Sequence, residues 1–334
     1  MRRAVFGFCG GRVHIRKIAP EGRAAAEAEK ETEGEKRMKI GLIDMDNISK
    51  KRVSFPNLPL MKLSAYHKKH GDCVDWWLAL EKYDLVYKSK VFDFTPEIEY
   101  PIYADRVVEG GSGYGLDNHL PDEVEHIMPD YSLYPQFNAA YGFLTRGCPR
   151  ACPFCIVAPK EGARSVKVAD LSEFWNGQKQ IKLLDPNLLA CKEHEDLLQQ
   201  LIDSGAWVDF TQGLDIRLVT KENAELLRRI KVKNIHFAWD NPKQDLSAQF
   251  RRFKEFSGID YRKLGVYVLT NFDSTHEEDL YRIYTLRDLG YSPYVMIYNK
   301  ATAPRKTRLL QRWVNNRIIF KTVPRFEDYD ARGG

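Results

Sequence analysis

The chain has 334 residues, 43% hydrophobic and 29% charged, which excludes a disordered or fibrous protein and suits about two packed domains. No apolar run approaches the ~20 residues a membrane-spanning helix requires, and the patch Val5–Phe8 is too brief for a signal-peptide core, so a cytoplasmic location without membrane contact is expected. The net charge of +5 gathers at one end: residues 300–334 hold nine Lys and Arg against three Asp and Glu, a basic end that can meet nucleic acid but is more often a solvated face.

In chain order, residues 1–37 read as a charged, Ala- and Glu-rich extension without apolar periodicity, expected to stay disordered, with translation expected to begin at Met38. Residues 38–135 read as a small Rossmann-like α/β domain. Lys39–Asp44 is a strand, and Pro59–His70 is a helix stopped by Gly71. Short strands are expected at Val74–Leu78, Leu85–Tyr87 and Arg106–Val108, the last running into Glu109-Gly-Gly-Ser-Gly-Tyr-Gly115. That glycine-rich turn lacks the dinucleotide-binding pattern. His67, His70, His119 and His126 are read as surface or satisfied histidines.

From residue 136 to 300 the pattern becomes regular. Strand-like runs begin at Tyr141, Ile181, Trp207, Ile235, Gly265 and Tyr294, the last five spaced by 26, 28, 30 and 29 residues, the length of a βα unit. Helical faces fill the gaps: Leu197, Leu198, Leu201 and Ile202; Leu226, Leu227 and Ile230 after Thr220; Phe250, Phe253 and Phe256 after Asp245. A fourth helix opens with a capping box at Ser274–Glu278 and stops at Gly290. Six such units predict an incomplete (βα)6 barrel. A basic, apolar helix near Leu309–Arg317, within a carboxy-terminal extension over 301–334, is expected to pack across its open side.

The chemistry is concentrated in Cys148-Pro-Arg-Ala-Cys152-Pro-Phe-Cys155, where half of the six cysteines fall at C-x3-C-x2-C spacing. Thiolates so clustered suit zinc or an iron–sulfur cluster. Structural zinc needs a fourth protein ligand, which Cys191 or His194 would have to supply. Disulfides are disfavoured by the tight spacing and the missing secretory signal.

The motif, with Phe154 directly before the third cysteine, resembles that of the radical S-adenosylmethionine (SAM) superfamily. The resemblance implies a [4Fe-4S] cluster on Cys148, Cys152 and Cys155 with one open iron that binds SAM and cleaves it reductively. It implies an external electron donor such as flavodoxin or ferredoxin, and a radical that abstracts hydrogen from an unidentified substrate.

By the same resemblance, candidate SAM contacts lie at the carboxyl ends of the strands, where ligands bind in parallel α/β folds. They are Phe154, Asp185 and Asn187 after the second strand, Gln212, Asp215 and Arg217 after the third, Asp240 after the fourth and Asn271 after the fifth. Many family members have a Gly-Gly-Glu-like motif where Leu184-Asp185-Pro186-Asn187 stands, and glycine where Asn271 stands. An arginine such as Arg217 suits the SAM carboxylate because its planar fork matches two oxygens.

The amino-terminal domain resembles the cobalamin-binding-like domain of one branch of the family, through the Gly-Gly after its last strand and a segment like Leu120-Pro-Asp…Pro129-Asp-Tyr-Ser-Leu-Tyr134. The cobalt-ligating Asp-x-His-x-x-Gly motif is missing, so cobalamin is not expected. The remaining cysteines, Cys9, Cys73 and Cys191, are scattered and form no second cluster motif. Two other readings remain open: a non-catalytic iron–sulfur or zinc protein of the same fold, and a nucleic-acid-modifying radical SAM enzyme that grips its polymer through the basic end.

Overall fold

The computed structural model describes residues 37–48, 53 and 55–330. The expected charged extension, apart from Arg37, lies outside the described residues. The chain folds as two compact units, and among the described residues the division falls between Phe137 and Asn138.

The amino-terminal unit is a four-stranded, fully parallel sheet. Strand β1 (Lys39–Asp44) is buried along nearly its whole length, as a central parallel strand must be when both faces are covered. Helix α1 (Leu58–Lys69) follows, capped by the Asn57 side chain on the Leu60 amide. Next come β2 (Cys73–Trp76), β3 (Tyr83–Ser89), β4 (Ala104–Gly110) and the short α2 (Asp122–Glu125). The strand order is β2-β1-β3-β4, so the chain reverses its direction of travel between β1 and β3. Two strands are longer than expected and β2 is shorter, ending at Trp76. The glycine-rich turn is structural. Gly111 has φ +98°, and a Cβ there would lie 2.2 Å from the Lys90 carbonyl oxygen, while Gly113 N donates to that oxygen. His67 is buried and satisfied, with Nδ1 2.6 Å from Asp72 and Nε2 3.0 Å from the Tyr87 hydroxyl.

The carboxy-terminal unit starts with β5 (Ala140–Gly142), a two-residue hairpin β6 (Thr145–Arg146) and β7 (Val166–Lys167), and α3 (Val157–Glu161) between them. Then strands and helices alternate: β8 (Gln180–Leu183), α4 (His194–Ser204), β9 (Trp207–Phe210), α5 (Lys221–Arg229), β10 (Lys231–Ala238), α6 (Ser247–Ser257), β11 (Leu264–Thr270), α7 (His276–Asp288) and β12 (Ser292–Ile297). The six long-range strands pair in parallel in chain order, β5-β8-β9-β10-β11-β12. With crossovers of one hand, consecutive parallel strands place their helices on one face.

That face is apolar. Leu197, Leu201, Leu227, Phe250, Phe253 and Leu286 of the helices pack on Ile181, Val208, Ile235, Phe237, Val266 and Val268 of the strands. The pairing makes this a parallel α/β unit; it does not by itself establish the incomplete (βα)6 barrel expected from the spacing. Strand β10 begins at Lys231, ahead of the expected Ile235, because a register shift between Val232 and Asn234 breaks the alternation. Ile230, expected on the helix face, is the residue that ends α5.

Helix α8 (Arg305–Asn315) lies along the outer edge of β12, and the short α9 (Arg317–Thr322) follows. Asn315 accepts from Val295 N (2.8 Å) and donates to Val295 O (3.0 Å), and Gln311 donates to the same oxygen (3.1 Å). These side chains satisfy backbone groups that an edge strand otherwise leaves unpaired. Arg305, Lys306, Arg308 and Arg312 face solvent. Among the described residues, no helix is long and apolar enough to cross a membrane.

Candidate metal and cofactor site

The cysteine loop hangs from the end of β5, and one carboxylate fixes its root. Asp185, just beyond β8 and 5% exposed, accepts from Leu144 N (3.2 Å), Thr145 N (2.5 Å) and Thr145 Oγ1 (2.7 Å). Burial pushes its carboxyl up to about 6, against the pull of these hydrogen bonds. Asp185 is therefore engaged by the loop and does not line the cavity described below; a short polar turn after a strand has no periodicity to say which way its carboxylate points.

Two further constraints shape the loop. Gly147 has φ +83°, and a Cβ there would lie 2.1 Å from the Arg164 carbonyl oxygen, so only glycine fits. Ala151 adopts φ +42°, a region that residues with a Cβ rarely enter, and it turns the chain between Cys148 and Cys152. Cys155 N then donates to Cys152 O (2.9 Å), which closes the second turn.

The loop borders a cavity of about 490 Å³, within the usual range for a small-molecule site. Cys148, Cys152, Phe154 and Cys155 line it from one side. Asn187, Gln212, Asp215, Arg217 and Asp240 line it from the ends of β8, β9 and β10. Asn271 does not. It has φ +61° and donates its Nδ2 to Asn299 O (3.1 Å), taking the left-handed backbone that glycine favours and that asparagine tolerates best among other residues.

Three lining residues carry no signal in the linear motif. Arg150 is a spacer position of the cysteine motif, yet its Nε donates to Asp215 Oδ2 at 2.5 Å. Phe272 sets its ring edge-on to Phe154, centroids 5.3 Å apart, and packs on Tyr298. Gln244 accepts from Arg217 (3.3 Å). Each is defined by a partner 27 to 118 positions away, which spacing alone does not reveal.

Electrostatically one corner of the cavity is a pair of guanidiniums on a shared carboxylate. Asp215 receives Arg217 Nε (2.7 Å) and Nη2 (3.2 Å) as well as Arg150. Burial pushes this carboxyl up, but the Arg217 guanidinium, and then Arg150, outweigh it and hold Asp215 below the usual carboxylate range. Two guanidiniums sharing the Asp215 carboxylate leave positive charge in excess at that corner of the cavity, which suits a ligand carboxylate, while Asp240 and Asp273 put negative charge elsewhere on the lining.

The residues present fit an iron–sulfur cluster with an amino-acid-bearing ligand. Asn187 is 2% exposed; its Nδ2 donates to Cys148 Sγ at 3.4 Å, and its Oδ1 has no hydrogen-bond partner among the described residues. An N–H aimed at sulfur stabilises thiolate charge and tunes a cluster's potential. The unmatched amide oxygen is an acceptor awaiting a donor such as an ammonium.

Among the described residues, no group of three His, Cys, Asp or Glu stands ready to hold a metal ion, and no cysteine is in a disulfide. The three thiols share the lining of one cavity. A cubane places each thiolate on a different iron, whereas zinc gathers its sulfurs at about 2.3 Å from one centre. The fourth zinc ligands considered from sequence are engaged elsewhere. Cys191 is buried against Glu193 (3.1 Å) and its thiol is pushed up to about 11, first by burial. His194 Nδ1 sits 2.7 Å from Cys191 O.

A scan against protein-family models and a search of curated proteins return no match for this chain.

Proposed function

We propose that the chain is a radical SAM enzyme that loads a [4Fe-4S] cluster on Cys148, Cys152 and Cys155 and cleaves SAM reductively. The observation that carries this reading is the convergence, in one cavity, of three motif cysteines, the Arg150–Asp215–Arg217 cluster and the unmatched Asn187 amide. In this reading the six parallel strands are the arc of an incomplete (βα)6 barrel, and the amino-terminal unit is a Rossmann-like relative of cobalamin-binding domains without the corrin.

When bound, the cluster supplies one electron that breaks a sulfonium C–S bond of SAM and releases a 5′-deoxyadenosyl radical, the step the cofactor performs and the protein positions. Arg217 and Arg150 bind the ligand carboxylate. Asn187 accepts from its ammonium while its Nδ2 donates to Cys148. Phe154 and Phe272 form an apolar wall for the adenine, and Asp240 and Gln212 supply polar contacts to the ribose. Asp185 holds the loop at a fixed height above the sheet. The electron comes from a small reductant protein of the flavodoxin or ferredoxin kind.

The test is anaerobic reconstitution of the full chain with iron and sulfide. The expected result is about four irons per chain and a brown chromophore, both lost when Cys148, Cys152 and Cys155 are replaced by alanine. Stoichiometric zinc instead of iron in wild type would sink the proposal, as would undiminished iron in the triple variant.

A further inference from the structure

The parallel sheet of the carboxy-terminal unit has two unlike faces. One takes α4 to α7 on its aliphatic and aromatic residues. Along β9, Val208 and Phe210 belong to that face, and Trp207 and Asp209 point to the other, as the pleat requires. The two residues of the second face differ in exposure. Asp209 is 8% exposed, whereas Trp207, at the start of the strand, is 47% exposed. A single exposed aromatic residue is ordinary. What surrounds this one is not.

The surroundings are lysines. The register sets Trp207 beside Lys231 on β10 and Gln180 on β8, each about 4.8 Å away. Lys233 is the extra residue at the register shift between Val232 and Asn234, and its Nζ donates to Gln180 Oε1 (2.6 Å). Lys263, just before β11, holds its Nζ 5.3 Å from the Trp207 ring centroid, a cation–π contact. Trp207 N donates to Lys179 O (2.9 Å), which brings Lys179 to the same corner. Lys179, Lys231 and Lys233 are exposed and Lys263 is half-buried; among the described residues none of the four is in an ion pair.

The carboxylates nearby do not cancel this charge. Asp209 is buried beside Lys182, and Asp260 receives Arg262 (2.5 Å). Asp203, near the end of α4, accepts from Gln199 (2.6 Å) and is a single charge against four. Arg317, at the start of α9, adds a cation: the charged form of His236, on the same sheet face, is disfavoured first by burial and also by Arg317.

We propose that this corner is a docking surface for single-stranded nucleic acid, with a base stacked on Trp207 and phosphates on Lys179, Lys231, Lys233 and Lys263. The chemistry selects the class. An indole half in water among ammonium groups matches an unpaired base and its backbone. A duplex keeps its base faces inside its own stack and offers the indole nothing. A membrane surface favours several apolar side chains together, whereas Gln180 and lysines flank this ring. An acidic peptide answers the charge and leaves the ring unused. Gln212 of the cavity stands five positions after Trp207, at most about 18 Å along the chain. Calling the bound strand the substrate rests on the proposed radical SAM reading; the binding itself does not.

The probe is a fluorescein-labelled, unstructured oligonucleotide of about 12 residues, as RNA and as DNA, titrated with the full chain by fluorescence anisotropy at several salt concentrations. Its duplex and phosphatidylserine vesicles are run beside it. Binding of either single strand is expected, with the duplex at least about tenfold weaker. Trp207→Ala should weaken it by about 5- to 150-fold without changing the salt dependence, and Trp207→Phe should recover part of the loss. Lys231→Ala and Lys233→Ala should each make the slope of log K against log salt shallower by about 0.7. If Trp207→Ala lowers the urea midpoint, the exposed double variant Lys231→Glu, Lys233→Glu replaces it. That variant should lose at least about tenfold, while Arg305→Glu, Arg308→Glu on α8 should change binding by less than about threefold. No binding at the lowest salt, equal affinity for the duplex, unchanged affinity in Trp207→Ala, an equal loss from the α8 variant, or capture by vesicles without binding of a single strand would overturn the proposal. Strand binding without SAM cleavage would remove only the radical SAM reading, and SAM cleavage without strand binding would remove only this one.

Discussion

The two parallel sheets carry charged groups at or just beyond the ends of their strands, and they use them differently. In the amino-terminal unit those charges consume one another. Lys88 bridges Glu97 (2.8 Å) and Glu109 (2.7 Å), Lys90 pairs with Glu97 (2.5 Å), and the Tyr114 ring lies under both ammonium groups at 5.1 and 4.4 Å. The cavity beside β1 and β2 in that unit, about 390 Å³, is walled mainly by apolar and aromatic residues such as Leu42, Ile43, Trp76 and Trp77, with Asp44 and Asn47 among its polar lining and no cysteine or cationic residue. In the carboxy-terminal unit three thiols, two guanidiniums and an unmatched amide are left facing a cavity. The same architecture thus gives a network of ion pairs at the strand ends of one unit and, in the other, a cavity that gathers thiols, guanidiniums and carboxylates around the unmatched Asn187 amide oxygen. An unmatched buried acceptor such as Asn187 Oδ1 beside a cysteine cluster points to a site, because folding alone does not favour it.

The sharpest way to break this comparison is at the root of the cysteine loop. Asp185→Ala strands three buried donors and should lower stability by about 3 kcal/mol, read as a fall in the urea midpoint. It should also reduce iron loading, since the loop loses its anchor. Unchanged loading would mean that the loop holds its own shape.

A matched pair of glycines comes next. Gly147→Ala and Gly111→Ala each force a Cβ into a carbonyl oxygen at positive φ, and each should cost about 2 kcal/mol. Only Gly147→Ala should also change iron content. Equal losses of iron in both variants would show that the amino-terminal turn matters to the site.

Arg217→Ala should leave iron content intact and raise the SAM concentration for half-maximal cleavage by about 10- to 100-fold, the worth of one charged hydrogen-bonding group. Arg217→Lys should lose less, since it keeps the charge but not the fork.

The smallest effect concerns pH in the amino-terminal unit. Hydrogen bonds from Lys88, and then Lys90, hold the Glu97 carboxyl at about 2, below its ordinary 4.5. A depressed folded value gives stability that is present above pH 4.5 and drains away as pH falls towards about 2. Glu97→Gln should flatten that part of the urea-midpoint profile. Because Glu97 is half exposed, solvent screening keeps the change modest.

Much of this was legible from the residues. The strand starts at Ile181, Trp207, Gly265 and Tyr294 lie in or at strands because apolar alternation and helix caps such as Thr275 with Glu278 are local signals. The hairpin of β6 and β7 escaped because two residues carry no period. At the site, the cysteine spacing is a local pattern that lines the cavity; Asp215 and Arg217 line it too, from a 3-10 turn over Ile216–Leu218 in which Asp215 accepts from Arg217 N (3.1 Å). Asp185 shows where locality ends: its place after β8 was readable, its direction was not. Arg150 shows the same from the other side, since its partner Asp215 is 65 positions away.

The central claim is tested most directly by one assay: product analysis of the reconstituted, dithionite-reduced full chain incubated with SAM under anaerobic conditions. The account predicts 5′-deoxyadenosine and methionine in equal amounts, formed by wild type and not by the Cys148→Ala, Cys152→Ala, Cys155→Ala variant. Intact SAM in the presence of a fully loaded cluster would contradict it.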